Sequence, residues 1–428
     1  MVSNWASVTL GDLVEIKYGK DHKKLDDGVI PCMGSGGIMR YVDRSLYDQE
    51  SILIPRKGSL NNIYYVDEPF WTVDTLFWTK INSEAVDPKF LFYQLKLVDF
   101  VSMNVGSAVP SLTVPVLNDL SIKLPPLAEQ KAIAYILGTL DDKIEINRQI
   151  NETLEAMAQA VFKSWFVDFD PVIDKALRAG KAIPEPLKER AELRQAQLDS
   201  GKAKTNSEIN DLFPSEFEFT EELGWIPRGW NVGQFSNLAK LNPESWSKKN
   251  IPNEILYVDL GNTNNGKIDS VTPYSSVDAP SRAKRVLAVD DTIIGTVRPG
   301  NRSFAYIHND GLTGSTGFAV MRPLETRNRS YIYFGLTQDK VIDYFSSIAS
   351  GSAYPAINSS VVADLECVIP PATLLESFDT KAYAFINKVG MNNNYNETLT
   401  KLRDTLLPKL MSGELRIKDA ETLVKEVL

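Results

Sequence analysis

The 428-residue sequence predicts an α+β protein built as a pseudo-twofold tandem repeat, with two strand-rich mixed α/β modules each followed by a long helix carrying a coiled-coil seam. Three observations predict it. Gly106-Ser107-Ala108 recurs as Gly351-Ser352-Ala353, a shift of 351 − 106 = 245, and the same shift carries Pro110 to Pro355, Asp119-Leu120 to Asp364-Leu365, Pro125-Pro126 to Pro370-Pro371 and Asn151-Glu152-Thr153-Leu154 to Asn396-Glu397-Thr398-Leu399. A gapless match over such a length is the mark of an internal duplication. Upstream the correspondence drifts: Phe90-Leu91-Phe92-Tyr93 parallels Tyr331-Ile332-Tyr333-Phe334 at 241, Arg56 and Gly58 parallel Arg298 and Gly300 at 242, and Trp5 and Leu13 parallel Trp230 and Leu238 at 225. Finally, each diproline is followed by apolar residues spaced four, three and four apart.

In each front part, short β-branched and aromatic runs bounded by Gly, Pro and Asn read as strands. They are Ser51–Pro55, Asn62–Val66 and Leu76–Ile81 in the first repeat, and Glu254–Leu260, Thr292–Val297, Ser303–Ile307 and Phe318–Met321 in the second. Phe90–Met103 and Tyr331–Ala349 have helical apolar spacing. Each back part reads as one long helix opened by the diproline, because proline at the first helical position lacks only an N–H that would be unpaired anyway. Ile133, Leu137, Leu140 and Ile144 form the seam of one, and Phe378, Ala382, Phe385 and Val389 that of the other. The apolar pattern then slips and resumes at Ile150, Leu154, Met157, Val161 and Trp165, and at Tyr395, Leu399, Leu402, Leu406 and Leu410. Such a seam is what a coiled coil requires. Pro408 and Gly413 predict that the second helix is shorter or bent. At the slip stand Asn147 and Asn151, and Asn392 and Asn396; two readings stay open, solvent-facing polar residues or buried contacts that fix helix register. The expected organisation is a module over 1–125, a helix over 126–170, a connector over 171–225 with a helical stretch at Glu185–Leu198, a module over 226–370 and a helix over 371–428.

Composition is that of a folded protein, at 43% hydrophobic and 24% charged residues, so disorder is not the default. Two cysteines cannot build a disulfide framework, the start does not resemble a signal peptide and no apolar run reaches bilayer length, so a soluble cytoplasmic protein without membrane attachment is expected. The net charge of −9 argues against a uniformly basic nucleic-acid binder. Most of that acidity falls in residues 126–225, which carry 12 basic and 19 acidic side chains, or −7. The modules are left free to carry local basic patches.

Catalytic chemistry finds little support. His22 and His308 are the only histidines; neither neighbours a cysteine, so no metal site or His-based triad is expected, and both read as surface or turn residues. Gly261–Lys267 fits a phosphate-loop spacing, but Ile268 follows where Ser or Thr is needed, and Pro273 forbids the helix that would bind phosphate. A hairpin turn at Asn265-Gly266 explains those residues better, and Gly34–Gly37 likewise reads as a tight turn. Recognition is the better use of the polar loops. Arg56, Lys57, Asn61 and Asn62 follow a strand, and Arg298, Asn301 and Arg302 stand at the expected partner position; arginine and asparagine suit the edges of guanine and adenine. Arg282, Lys284 and Arg285 form a cluster suited to phosphates, which position a duplex without specifying it. A helical interaction scaffold without DNA contact and an independent DNA-acting enzyme remain as alternative classes.

Several of these segments together resemble a known family. Leu124-Pro125-Pro126-Leu127-Ala128-Glu129-Gln130-Lys131-Ala132-Ile133, the preceding Gly106–Leu112 and the following Ser164–Pro171 are similar to the central region of specificity subunits of type I restriction–modification systems, and Leu406–Leu415 resembles that family's closing helix. The second copy departs from the pattern: Ala372-Thr373-Leu374-Leu375 lacks the Glu-Gln, so contacts made by that dipeptide are expected on one side only. The resemblance implies two target-recognition domains that each read half of a split site in double-stranded DNA. It implies antiparallel helices that set the spacer and dock two methyltransferase subunits through seam residues such as Ile133, Leu137, Leu140, Ile144, Leu154, Phe378, Phe385, Val389 and Leu399. Restriction/translocase subunits would complete the complex. S-adenosylmethionine, ATP and magnesium would belong to those partners, with no cofactor and no catalytic residue in this chain.

Overall fold

The computed structural model describes residues 5–106, 109–201, 207–247, 249–351 and 354–428. Ser107, Ala108, Ser352 and Ala353 of the repeated tripeptides lie outside the described residues. The chain divides into two compact units, residues 1–148 with 393–428, and residues 149–392. Each unit therefore combines a strand-rich module with part of both long helices.

In the first unit a four-stranded antiparallel sheet runs in the order Val14–Tyr18, Leu76–Ile81, Ser51–Pro55, Tyr64–Val66. A three-stranded sheet, Gly37–Val42, Asp27–Gly34, Trp71–Thr72, lies beside it in sequence. The ribbon Ala6–Thr9 with Ser121–Leu124 closes the module and delivers the chain to the long helix. Helix Pro88–Lys96 starts where Asp87 accepts the Phe90 N–H at 2.9 Å and proline takes the first turn. It ends at Lys96, short of the Met103 expected. Its Phe90 and Leu91 share one core with Phe77, Ile133, Leu137, Leu140, Ile144, Leu399 and Leu406.

The second unit repeats this frame: Ala239–Leu241, Phe318–Pro323, Thr292–Gly295, Phe304–Tyr306 in the sheet, and Asn231–Gln234 with Glu366–Ile369 in the closing ribbon. Here the helical run after residue 330 is two helices, Arg329–Leu336 and Asp339–Ile348, because Gln338 adopts an extended conformation (ψ 143°) between them. The Asn265-Gly266 turn is found as read: both residues have positive φ (45° and 84°) and join the two-residue strands Thr263–Asn264 and Lys267–Ile268. A Cβ at Gly266 would lie 2.7 Å from Glu155 Oε1 and 2.8 Å from Tyr333 Oη, so only glycine fits.

The long helices are Leu127–Phe166 and Ala372–Met411, 40 residues each. The second is not shortened by Pro408, which is exposed one turn before the helix end, where the loss of a single N–H is tolerated. Gly413 (φ 72°) then ends the helix, its N–H donating to Leu410 O at 3.2 Å. The slip read into the seam is absent. Ile150 and Met157 are exposed, and the buried face continues through Asn147, Asn151, Ala158 and Phe162, with Leu154 half-buried, keeping close to the original spacing. Asparagine in seam positions disguised the continuity. In the first unit Asn147 Nδ2 donates to Asn396 Oδ1 at 2.8 Å; in the second Asn392 Nδ2 donates to Asn151 Oδ1 at 2.7 Å. Each pair joins the two helices, which run antiparallel in both units: Arg403 reaches Asp141 at 2.6 Å in one, and Phe162 meets Phe378 at 5.8 Å in the other. The buried-contact reading of the asparagines is the one the structure bears out.

The Glu-Gln asymmetry has a physical counterpart. Gln130 is buried, accepts the Asp87 N–H at 2.8 Å and donates to Pro125 O at 2.8 Å, whereas Leu375 at the corresponding place is simply apolar core. Within residues 171–225, helix Lys188–Asp199 agrees with expectation, but helix Asp170–Arg178 was missed: Pro171 sits in its first turn and starts it rather than breaking it. Arg190 grips Asp170 through two bonds of 2.7 Å, and Arg194 grips Asp174 through bonds of 2.9 and 2.5 Å. Both carboxylates are buried and one turn apart, so two bidentate pairs lock the helices together.

His308, expected at the surface or in a turn, lies in a loop but is half-buried. Its ring lies 5.2 Å from that of Tyr306, and a Cβ at Gly390 would come within 2.4 Å of its Nδ1. Burial pushes its pKa down to about 4, against a weaker opposing pull from Asp290. A base whose folded pKa lies below its unfolded value contributes stability above the unfolded pKa and loses it as pH falls. Unfolding of the wild type should therefore become progressively easier from about pH 6.5 toward pH 4, and His308→Phe should flatten that slope in urea titrations at several pH values. A second expectation concerns the asparagines. Asn151→Leu strands the Asn392 amide and should cost about 1–3 kcal/mol, while Asn151→Leu with Asn392→Leu should recover most of it, measured by equilibrium denaturation.

Candidate nucleic-acid interface

In the first unit, strand Ser51–Pro55 ends at Arg56, whose N–H donates to Thr75 O at 2.8 Å and whose carbonyl accepts the Leu112 N–H at 3.0 Å. Lys57 forms a bridge with Ser111, and the Gly58 N–H donates to Pro110 O at 3.1 Å. The loop ending in Pro110-Ser111 is thereby laced onto the Arg56–Gly58 turn. The Arg56 guanidinium donates to Asp74 O at 3.0 Å and lies 5.3 Å from the centre of the Tyr18 ring. Asn62 Nδ2 and Tyr64 Oη both donate to Ser35 O at 3.1 Å, drawing in the tip of the Asp27–Val42 hairpin. Four chain segments thus converge beside Arg56, with Lys57 and Asn61 exposed. Gly34–Gly37 is the tight turn expected of it, closing this hairpin.

In the second unit, strand Thr292–Gly295 leads to a turn over Pro299–Asn301 flanked by Arg298 and Arg302, both left-handed (φ 48° and 59°). A side chain in that conformation costs roughly 1–2 kcal/mol. The Arg298 N–H donates to Pro355 O at 2.7 Å, and its guanidinium lies 4.9 Å from the centre of the Tyr354 ring. Arg302 Nε donates to Asn265 Oδ1 at 2.6 Å and its other nitrogen pairs with Asp339. Asn301 is exposed.

The two arginines are not positional equivalents. Leu53 faces Trp78 and Ile293 faces Val320, so the two strands correspond at 293 − 53 = 240. The bridges Lys57 to Ser111 and Val297 to Ala356 agree with that offset, as do the Gly58 and Arg298 bonds to the paired prolines. Arg298 therefore stands where Gly58 (φ 88°) stands, and both have positive φ; Thr296 occupies the place of Arg56. Each repeat nevertheless brings an arginine onto a tyrosine at this edge, from a different backbone position. Tyr18 and Tyr354 were not foreseen, since each lies dozens of residues from its arginine, and nothing local signals the contact.

The Arg282, Lys284, Arg285 cluster is divided. Arg282 and Lys284 are exposed, while strand alternation turns Arg285 inward. Its guanidinium donates to Ser245 Oγ at 3.3 Å, its Nε has no hydrogen-bond partner among the described residues, and burial pushes its pKa down. Arg285 is half-buried, unlike its two exposed neighbours. Among the described residues no group of His, Cys, Asp and Glu could hold a metal ion, and no helix is long and apolar enough to cross a membrane.

Comparison with known proteins agrees with this architecture. Residues 2–156 match the family described as the type I restriction modification DNA specificity domain. The specificity subunit of the type I restriction enzyme HindI from Haemophilus influenzae is 28% identical over 371 residues, 78% of this chain and 79% of that one. That of EcoDI from Escherichia coli is 21% identical over 96% of this chain and 89% of its own length. Among solved structures, the S subunit of a type I restriction-modification system from M. genitalium shares the fold with a TM-score of 0.56 at 15% identity, covering 95% of this chain and 96% of its own. The chain is similar over most of its length to specificity subunits of type I restriction–modification systems.

Proposed function

We propose that this chain reads a two-part sequence in double-stranded DNA, one half with each unit, and performs no catalysis itself. The observation that carries this reading is the repeated edge: in both units a strand end, the proline-containing loop and a tyrosine converge on an arginine. The tyrosine ring steadies the guanidinium in each unit, and arginine is the side chain that makes bidentate contacts with guanine. Asn61, Asn62 and Asn301 lie beside these arginines for adenine, and Arg302, already held by Asn265 and Asp339, supports the turn. Lys57, Arg282 and Lys284 supply phosphate contacts that set the register of the duplex.

In this reading the long helices set the distance between the half-sites and dock two methyltransferase subunits, to which restriction/translocase subunits add. S-adenosylmethionine, ATP and magnesium act on those partners. The recognition modules are residues 1–125 and 226–370, with 171–225 joining them.

Arg56→Ala and Arg298→Ala should each relax sequence preference in a different half-site, by roughly 1–3 kcal/mol for each lost bidentate contact. Methylated-adenine sequencing of a randomised target library reads the outcome; equal loss in both halves from either variant contradicts the assignment. Inserting four residues after Asn147 should change the spacer length tolerated in the same library. An unchanged spacer preference rules out the helices as the measuring element.

A further inference from the structure

The hairpin Asp27–Gly34 with Gly37–Val42 carries a feature that base reading by Arg56 and Asn62 does not use. Met33 faces Ile38 and Cys32 faces Arg40, so Met39 is an extra residue in its strand, a β-bulge. Ile38 and Met39 are in consequence both turned outward, 54% and 56% exposed, with Tyr41 at 51% farther along the same strand. The tip behind them is anchored, since the Ser35 N–H donates to Thr75 Oγ1 at 3.3 Å while its carbonyl takes the Asn62 and Tyr64 bonds already described. An apolar knob is thus held rigidly in solvent next to the arginine site. Bulges that re-aim side chains beside functional sites are a recurring device.

Its surroundings favour a polyanion. Lys20, Lys23, Lys24 and Lys57 are exposed and form no ion pair among the described residues. The Lys20 N–H donates to Thr72 O at 2.8 Å, and Arg40 Nη2 to Leu25 O at 3.1 Å, tying residues 20–25 to the hairpin sheet. We propose that Ile38 and Met39 form an apolar wedge that enters duplex DNA beside Arg56 and partly unstacks one base step of the half-site bound by the first unit. Proteins that bend DNA insert Ile, Leu, Met or Phe between base steps in this way, with cations on the flanking phosphates. The inference rests on the reading that this unit binds DNA.

The second unit has a different connection at this place. Strand Glu254–Val258 pairs with Leu312–Ser315 in parallel and with Thr272–Ser275 antiparallel, as Asp27–Gly34 pairs with Trp71–Thr72 and Gly37–Val42. Between its two strands stands the small hairpin Thr263–Ile268, whose Gly266 is packed against Glu155 and Tyr333. That tip faces protein. The distortion is therefore confined to one half-site.

The test uses the full chain assembled with methyltransferase subunits, on duplexes bearing the target identified by methylation mapping. 2-Aminopurine is placed singly at purines other than the methylated adenines. Wild type should raise its fluorescence at one step in one half-site only. Ile38→Ser with Met39→Ser should abolish that rise and weaken binding about tenfold, with thermal melting unchanged because both side chains are exposed, while Met39→Leu should retain it. A double variant that binds and reports like wild type overturns the wedge, as does a rise in both halves or in neither. Loss of methyltransferase assembly with intact DNA distortion overturns it too, marking a protein-docking patch instead. Should Arg56→Ala still relax one half-site while no step unstacks, only the wedge falls; a wild-type complex that does not bind duplex removes the base-reading function along with it.

Discussion

The structure depends most on the antiparallel pairing of the long helices, and that pairing is specified by a polar contact. An all-apolar seam tolerates sliding by one heptad, because every register buries comparable surface. Asn147 against Asn396 in one unit, and Asn392 against Asn151 in the other, remove that freedom. Any other register would leave buried amides unpaired, at a cost comparable to a large share of the net stability of a domain. Pairing with roles exchanged follows from the duplication: 147 + 245 is 392 and 151 + 245 is 396. One asparagine spacing, copied once, serves both units.

Onto each paired segment the same four-stranded sheet and closing ribbon are built, while the second sheet has three strands in one module and four in the other. The sheet order, the closing ribbon and the bonds from the strand end to the proline-containing loop are repeated. Drifting offsets, 225 then 240 to 242 then 245, record where residues were added between conserved elements. None of those changes interrupts a ladder. Loops can vary over such a frame at little cost, because loop-closure entropy grows only slowly with length.

This division also explains what could be read from the chain beforehand. The duplication, the strands and the long helices were legible because they rest on periodicity and fixed spacing. Where the seam is polar, apolar spacing points to the exposed Ile150 and Met157, whereas the buried positions are Asn147 and Asn151. Arg56 was matched to Arg298 by residue type, whereas the ladder places Gly58 there. A two-residue error is invisible without strand partners. Tyr18 and Tyr354 were out of reach for a similar reason: the contact is made across a sheet edge, not along the chain. Arg285 and His308 look like surface residues by type and are drawn inward by strand alternation and by Gly390.

The two arginine sites also differ in how their geometry is maintained, and the difference follows from backbone position. Arg56 extends from regular strand geometry, and its guanidinium is held from outside, by the Asp74 carbonyl and the Tyr18 ring. Arg298 occupies a left-handed position that Gly58 fills without strain, so its side-chain direction is set by the backbone itself, and a second left-handed residue, Arg302, follows four positions on. Strain of this kind persists only where neighbouring bonds over-determine the turn. Here those bonds are the Pro355 carbonyl, Asn265 and Asp339, contributed by three separate segments. The hairpin at Asn265-Gly266, whose spacing imitates a phosphate loop, is thus a brace for the Arg298–Arg302 turn: its glycine seats the hairpin on Tyr333 and Glu155, and its asparagine holds Arg302.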